Sequence, residues 1–279
     1  MKTLAKNVCI LSFVLLTGSV FAQNVLDGAY VDENSPNRRV IPYTFLRQAD
    51  VMWQKRIWRI IDLREKMNLP LFYPLQANAN RKSVFEVMRN ALKSGEITGY
   101  DFSLDWDNSF VLPLTKTEVE DKLSKTDTLQ DENGNPKVVH EDVTNDKIKQ
   151  YMLKEDWFFD KQRSVMDVRT LGICPMKATV NSNTGEEDAS GASTPIFWIY
   201  YPSVRSLFAI TEVFNVENDA ERRTLEDIFW KRQFSSYIVQ ESNVYNRSIA
   251  GYLVGLDTQL ENEKIKKKMF DLEHDMWQY

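Results

Sequence analysis

Histidine is scarce in this chain, and its scarcity excludes several kinds of site. The 279 residues include two histidines, His140 and His274, and neither has a partner at the spacing of a zinc motif. The sequence also lacks a G-x-S-x-G elbow, a P-loop and a G-x-G-x-x-G turn. A hydrolase built on this chain would therefore have to work with a pair of carboxylates.

Acidic residues near the aromatic centre of the chain are the candidates for such a pair: Glu155, Asp156, Asp160 and Asp167. Basic residues stand close to them, so structural ion pairs, of Asp160 with Lys161 and Arg163 and of Asp167 with Arg169, are the better interpretation. The acidic turn that starts at Asp131 lacks the glycine that a calcium loop needs at its sixth position, where Pro136 stands. We predict no catalytic residue, no metal and no cofactor.

Cysteine is limited to Cys9 and Cys174. Cys9 lies in an apolar run, Val8–Leu16, that follows Lys2 and Lys6 and precedes the small-residue site Val20-Phe21-Ala22. This pattern predicts a signal peptide over residues 1–22, and the run is too short to span a membrane. No cysteine stands at the cleavage point, so we expect no lipid attachment.

The exported chain is expected to keep one cysteine and to be more acidic than the net charge of −5 of the full sequence. An internal disulfide is then impossible, and Cys174, between Ile173 and Pro175, is interpreted as a buried apolar residue. The acidic balance argues against binding to nucleic acid.

The sequence also lacks long glycine and serine linkers and internal repeats. We therefore place the boundaries between its regions where the amino-acid composition changes. We predict an extended N-terminal arm over residues 23–43, a helical or α+β subregion over 44–114, a charged connector or hairpin over 115–147 and a C-terminal α+β core over 148–279. The core is organised around 155–202, where Val165–Pro175 and Pro195–Pro202 are rich in β-branched and aromatic residues and predict strands.

Periodicity predicts the helices. Arg47–Met67 places Trp53, Ile57 and Ile61 on one face, with Trp58 outside it. A capping box opens a helix at Ser83, a further helix is expected from Asn218 or Thr224 to Gln240, and a last one over 256–277. The expected fold is α+β: a small, mostly antiparallel central sheet packed against several amphipathic helices, with an extended N-terminal arm and long polar loops.

The candidate partner-binding residues are Arg38, Arg39, Val40, Tyr43 and Trp58. The first four belong to the arm, which is either a disordered terminus or a segment that lies across a neighbouring subunit. Trp58 either covers a loop or anchors a subunit contact.

Several motifs, taken in their order and spacing, resemble the GldN/PorN family. They are Asp156–Lys161, Val168-Arg169 with Gly172-Ile173, Phe197–Pro202, Glu212–Asn215, Asn218-Asp219, Glu241–Arg247 and Glu273–Tyr279. The resemblance spans nearly all of the chain after the signal peptide, except for the charged connector.

The resemblance implies a non-enzymatic structural subunit of the type IX secretion and gliding-motility machinery. Members of the family assemble with an outer-membrane lipoprotein of the GldK/PorK type into a periplasmic ring, and are thought to touch a motor protein of the GldM/PorM type. This implies neighbouring copies in a ring and a location in the periplasm, at the inner face of the outer membrane, through a partner rather than through a membrane span. The alternative is a cell-envelope glycan hydrolase or a glycan-binding module.

Overall fold

The computed structural model describes residues 38–78, 81–102, 110–130, 136–179, 193–215, 218 and 220–276. The expected signal peptide, the first part of the arm at 23–37 and the polar loop at 181–192 lie outside the described residues.

The described residues form both strands and helices. The strands are β1 Val51–Asp62, β2 Gly99–Tyr100, β3 Ser124–Gln130, β4 Pro136–Asp142, β5 Ile148–Asp160, β6 Val165–Ala178, β7 Ser193–Pro195, β8 Trp198–Tyr200, β9 Glu212–Val213, β10 Arg223–Thr224 and β11 Tyr237–Glu241. The helices are α1 Leu69–Phe72, α2 Val84–Ser94, α3 Lys116–Leu123, α4 Tyr201–Ile210, α5 Leu225–Trp230 and α6 Leu256–Asp275. Among the described residues, β3 to β8 follow one another without an α-helix between them.

Seven of these strands form one sheet in the order β11-β1-β5-β6-β8-β2, with β7 beside β6. Every pairing within it is antiparallel. The β5–β6 hairpin and the β1–β5 pair are its longest pairings. The predicted α+β class and the mostly antiparallel sheet are confirmed. β1, from the 44–114 subregion, lies between β5 and β11 of the C-terminal core, so the two subregions share one sheet.

The prediction of a helix over 47–67 is wrong, because strand β1, Val51–Asp62, occupies most of this range. Trp58 and Ile60 contribute to one buried cluster, whereas Ile57 packs with Trp53 on the other face. Strands that are covered on both faces carry apolar residues at nearly every position, and such a run matches a helical stripe by coincidence. The side chain of Trp58 is fully buried, so it is not available as a subunit contact.

The structures of the charged connector and of the preceding helix α2 agree better with their predictions than β1 does. Ser83 caps α2 by accepting a hydrogen bond from the Glu86 amide, so the predicted helix start is confirmed. The helix ends at Gly95, which has the left-handed conformation. The connector contains the hairpin β3–β4, one of the two structures expected for it.

Other boundaries differ from the predictions. The strand expected over 195–202 is shorter, since Tyr201 begins α4. Thr224, one of the two predicted caps of the helix expected up to Gln240, begins that helix as α5, but α5 already ends at Trp230. Residues 231–236 form turns and coil, and β11 begins at Tyr237. The last helix matches its prediction closely as α6.

Three buried clusters form the core. The largest joins the sheet to α2, α4 and α5; the second surrounds Trp58 and Trp198; and the third packs α6 against Ile57 and Ile238. Cys174 is fully buried in the second cluster, and burial raises the pKa of its thiol to about 12, which leaves it protonated and unreactive.

Trp58→Ala tests the correction for β1. Because the whole indole is buried, we expect the unfolding free energy to fall by about 3–5 kcal/mol, measured by urea denaturation of the purified chain. Phe45→Ala, at a side chain that is 88% exposed, is the control and should change stability little. A Trp58→Ala variant as stable as the wild type would contradict the burial.

Candidate interaction surface

A fully buried carboxylate, Glu155 on β5, joins three parts of the fold. Arg232 Nη1 and Nη2 donate to its two oxygens at 2.8 and 3.2 Å, and Arg59 Nε of β1 lies 3.3 Å from Oε2. Trp157 Nε1 donates to the same Oε2 at 3.0 Å. Arg232 follows α5 with a left-handed backbone, φ 53°, so the cluster fixes the chain after that helix against the sheet.

A second buried ion pair lies between α4 and α5. Arg205 Nε donates to Glu226 Oε1 at 2.7 Å, and the Tyr201 hydroxyl donates to Glu226 Oε2 at 2.9 Å. Arg205 Nη2 also donates to the backbone carbonyl of Ile41 at 2.9 Å. The pair therefore holds two helices together and provides a fixed donor for the arm.

The described part of the arm lies along this surface of its own chain. The Tyr43 ring stacks on Trp230 at 5.7 Å between centroids, and the Arg205 guanidinium carbon lies 4.0 Å from the Tyr43 centroid. Arg38 Nη1 lies 2.9 Å from Asp227 Oδ2. We call the surface formed by Arg205, Asp227 and Trp230 the arm seat.

Of the predicted partner-binding residues, the structure brings Arg38 and Tyr43 together at the arm seat. Arg39 is exposed and Val40 is half-buried, whereas Trp58 is in the core of the sheet. Burial raises the pKa of Tyr43 although Arg205 opposes it. The outer side of the arm stays open: Ile41 is 64% and Phe45 88% exposed.

The four carboxylates considered for hydrolysis all carry arginine partners. Glu155 has Arg59 and Arg232; Asp156 has Arg56 at 2.7 Å; and Asp160 and Asp167 share Arg163 at 2.7 and 2.8 Å. The sequence-based pairing of Asp160 with Arg163 is confirmed, but Asp167 pairs with Arg163 rather than with Arg169. The hydrogen bond from Arg163 lowers the pKa of Asp160, the opposite of what a general acid requires.

An apolar groove opens near the end of β1. It encloses about 640 Å³. It is lined by Lys66, Leu69, Pro70, Tyr73, Pro74, Leu75, Asn78, Arg81 and Phe214. Tyr73, Leu75 and Phe214 are exposed within it, and the Arg81 guanidinium lies 5.4 Å from the Phe214 ring centroid.

A second apolar feature is the loop after β11, which we call the tip loop, residues 242–247. Asn243 orders it: its side-chain nitrogen donates to the carbonyls of Glu241 and Arg247, and its oxygen accepts from the amides of Tyr245 and Arg247. Val244 is 98% and Tyr245 75% exposed. Large apolar groups held outward by an ordered loop are typical of an interaction site.

The tip loop lies beside the middle of β1, and the groove lies beyond the end of that strand. The Ser242 amide donates to the Arg56 carbonyl, whereas the groove begins four residues after Asp62. At about 3.3 Å per residue, this stretch of β1 separates the two features by roughly 20 Å. The turn residues Asn243 and Asn246 are visible in the sequence, but the exposure of Val244 and Tyr245 is not.

The fold and these surfaces define an α+β protein with arginine-paired carboxylates and projecting apolar groups. Among the residues that the structure describes, no cluster of His, Cys, Asp and Glu is placed to hold a metal ion, and no helix is long and apolar enough to cross a bilayer.

Residues 46–278 match the family described as "GldN: Gliding motility associated protein GldN". The match covers most of the sequence, so the chain belongs to this gliding-motility family. A comparison with curated proteins found no match.

Glu155→Gln tests the buried cluster. Removing the charge leaves Arg59 and Arg232 without their carboxylate, and we expect a loss of about 3–5 kcal/mol in unfolding free energy. The control, Glu221→Gln, removes the charge of an exposed pair with Arg223 and should cost far less, because water screens such a pair. Equal losses in the two variants, measured by urea denaturation, would count against the cluster.

Asp160→Asn tests the pH dependence of the Asp160–Arg163 pair. Because the folded pKa lies below the unfolded value of about 3.9, the pair stabilises the fold above roughly pH 4 and is lost as the pH falls through the folded value. The variant should be less stable than the wild type at pH 7, and this deficit should be smaller at about pH 3, below the unfolded value. A deficit of the same size at both pH values, or one matched by the exposed control Asp271→Asn, would show that the charge of Asp160 is irrelevant.

Proposed function

We propose that this chain is a non-enzymatic structural subunit of the gliding-motility and type IX secretion machinery. In this proposal it is exported to the periplasm by residues 1–22 and forms a ring with an outer-membrane lipoprotein of the GldK/PorK type. It also contacts a motor protein of the GldM/PorM type. The lipid anchor belongs to the lipoprotein, which holds this chain at the inner face of the outer membrane.

Membership of a gliding-motility family is the observation that carries the proposal. The surface supports it, because the tip loop and the groove expose aromatic and aliphatic groups of the kind that anchor interfaces. The two features differ from each other and lie far apart, so a contact between them would join copies head to tail. Head-to-tail contacts close into rings when the rotation between copies permits it.

The arm has a part in the same proposal. Its inner side is attached to its own chain through Arg38 and Tyr43, whereas Ile41 and Phe45 face outward. The body thus presents the arm to a partner as an ordered apolar strip. Pre-ordering reduces the conformational entropy lost when the partner binds.

Each of these contacts is small compared with the roughly 800 Å² per partner of a stable protein–protein interface. A single contact is therefore expected to be weak. Repetition around a ring makes the later contacts intramolecular, so that weak contacts hold an assembly that a pair of copies cannot.

Co-purification from detergent-solubilised envelopes tests the proposal. Tagged wild-type chain should recover a lipoprotein of the GldK/PorK type. The double variant Val244→Asp with Tyr245→Asp should recover at least about tenfold less, because charge replaces two exposed apolar anchors. The control Phe270→Asp changes an aromatic residue on α6 that is 65% exposed and does not belong to the tip loop, and it should behave as the wild type.

Two outcomes would overturn parts of this account. If the wild-type chain recovers no lipoprotein, the proposed function is wrong. If the double variant folds with an unchanged melting temperature and recovers as much lipoprotein as the wild type, the tip loop is not a docking surface.

A further inference from the structure

Arg169 on β6 differs from the other half-buried or buried arginines near the arm seat. Arg56, Arg205 and Arg232 each have a carboxylate oxygen at 2.6–2.8 Å. Arg169 is half-buried, and among the described residues no carboxylate lies within ion-pair distance of it. Asp156 lies opposite Arg169 in the register of β5 and β6, but its carboxylate pairs with Arg56 at 2.7 Å.

The Arg169 guanidinium is nevertheless held in place. Its carbon lies 5.3 Å from the ring centroid of Tyr43 and 5.3 Å from that of Phe158. Nη2 donates to the backbone carbonyl of Thr44 in the arm. Among the described residues this carbonyl is its one hydrogen-bond acceptor, so the other N–H groups of the planar fork are left to bind something else.

These groups line a cavity of about 230 Å³ between the arm and the body of the chain. Arg163 and Arg232 also line it, with Asp167 as the one carboxylate among the described lining residues. Asp167 is paired with Arg163 at 2.8 Å, and Arg232 is paired with Glu155. Arg163 also meets Asp160 at 2.7 Å, so among the described lining residues Arg169 is the arginine that has no carboxylate at ion-pair distance.

We infer that this cavity binds an oxyanion through Arg169, and that the oxyanion is the carboxylate of an acidic side chain on a protein partner. This inference rests on the proposed function, in which the chain docks other proteins. A guanidinium fork matches a carboxylate in two parallel hydrogen bonds. Asp167 and the Thr44 carbonyl in the wall repel negative charge, which favours a singly charged carboxylate over a doubly charged phosphate.

Binding at this position would involve the arm. Ile41, Pro42, Tyr43 and Thr44 form one wall of the cavity, and Tyr43 and Thr44 contact the same guanidinium that receives the anion. A partner carboxylate on Arg169 would therefore contact the same guanidinium that holds Tyr43 and Thr44 of the arm. Its binding site would be formed jointly by the ordered arm and by β6.

Titration calorimetry of the full chain with N-acetylglutamate amide tests the inference, with inorganic phosphate at the same ionic strength as the second probe. We expect saturable binding of the carboxylate to the wild type and binding at least about tenfold weaker to Arg169→Gln. The control Arg247→Gln alters an arginine that also stacks on two tyrosines, Tyr245 and Tyr252, but lies in the tip loop. It should bind as the wild type does.

Each result decides the question. Absence of saturable carboxylate binding to the wild type, or equal binding by Arg169→Gln, overturns the inference. Phosphate bound more tightly than the carboxylate overturns its assignment to a protein side chain. If Arg169→Gln does not fold, Arg169→Lys, which keeps the charge but loses the planar fork, replaces it and should also weaken binding. Recovery of the lipoprotein in the co-purification experiment is independent of these outcomes, so failure here leaves the proposed function standing.

Discussion

The carboxylate of Glu155 is the interaction on which the rest of this structure depends. A fully buried charge is expensive unless hydrogen bonds and an opposite charge compensate it, and Glu155 receives both from Arg232, Arg59 and Trp157. These partners come from strand β1, from β5 itself and from the chain that leaves α5. One side chain therefore binds all three, and it adds the chain after α5 to the backbone pairing of β1 with β5. Trp157 also packs against the cluster that holds α6 on the sheet, so the same contact reaches the last helix.

The arm seat uses the same chemistry closer to the surface. Arg205 is neutralised by Glu226, and its guanidinium then offers a face to Tyr43 and a donor to Ile41. Arginine is suited to this position because its planar group stacks on rings while its N–H groups bond in the plane. The result is an arm whose inner side is bound by a preformed surface and whose outer side remains open.

The sequence predicts those elements whose signals are local. The capping residues Ser83 and Thr224 mark helix starts, and the period of α6 marks its extent, without reference to the rest of the chain. β1 is missed because burial on both faces depends on β5 and β11, which pair with it from about 100 and 180 residues away. The contacts of the candidate site are harder to predict than the elements. The pairing of Arg163 with both Asp160 and Asp167 depends on the register of β5 against β6. The stacking of Arg169 on Tyr43 depends on the path of the arm. Exposure of Val244 and Tyr245 likewise follows from how Asn243 folds the tip loop, which spacing alone does not reveal.

Together these features describe a chain whose paired charged groups hold its shape and whose projecting apolar groups, in the proposed function, contact other proteins. Hydrogen–deuterium exchange tests this most directly, by comparing the isolated chain with the complex recovered from envelopes. The account predicts slower exchange in the tip loop and in residues 66–78 of the groove, with exchange in β1, β5 and β6 unchanged. Equal exchange of the tip loop and the groove in the two states would contradict it.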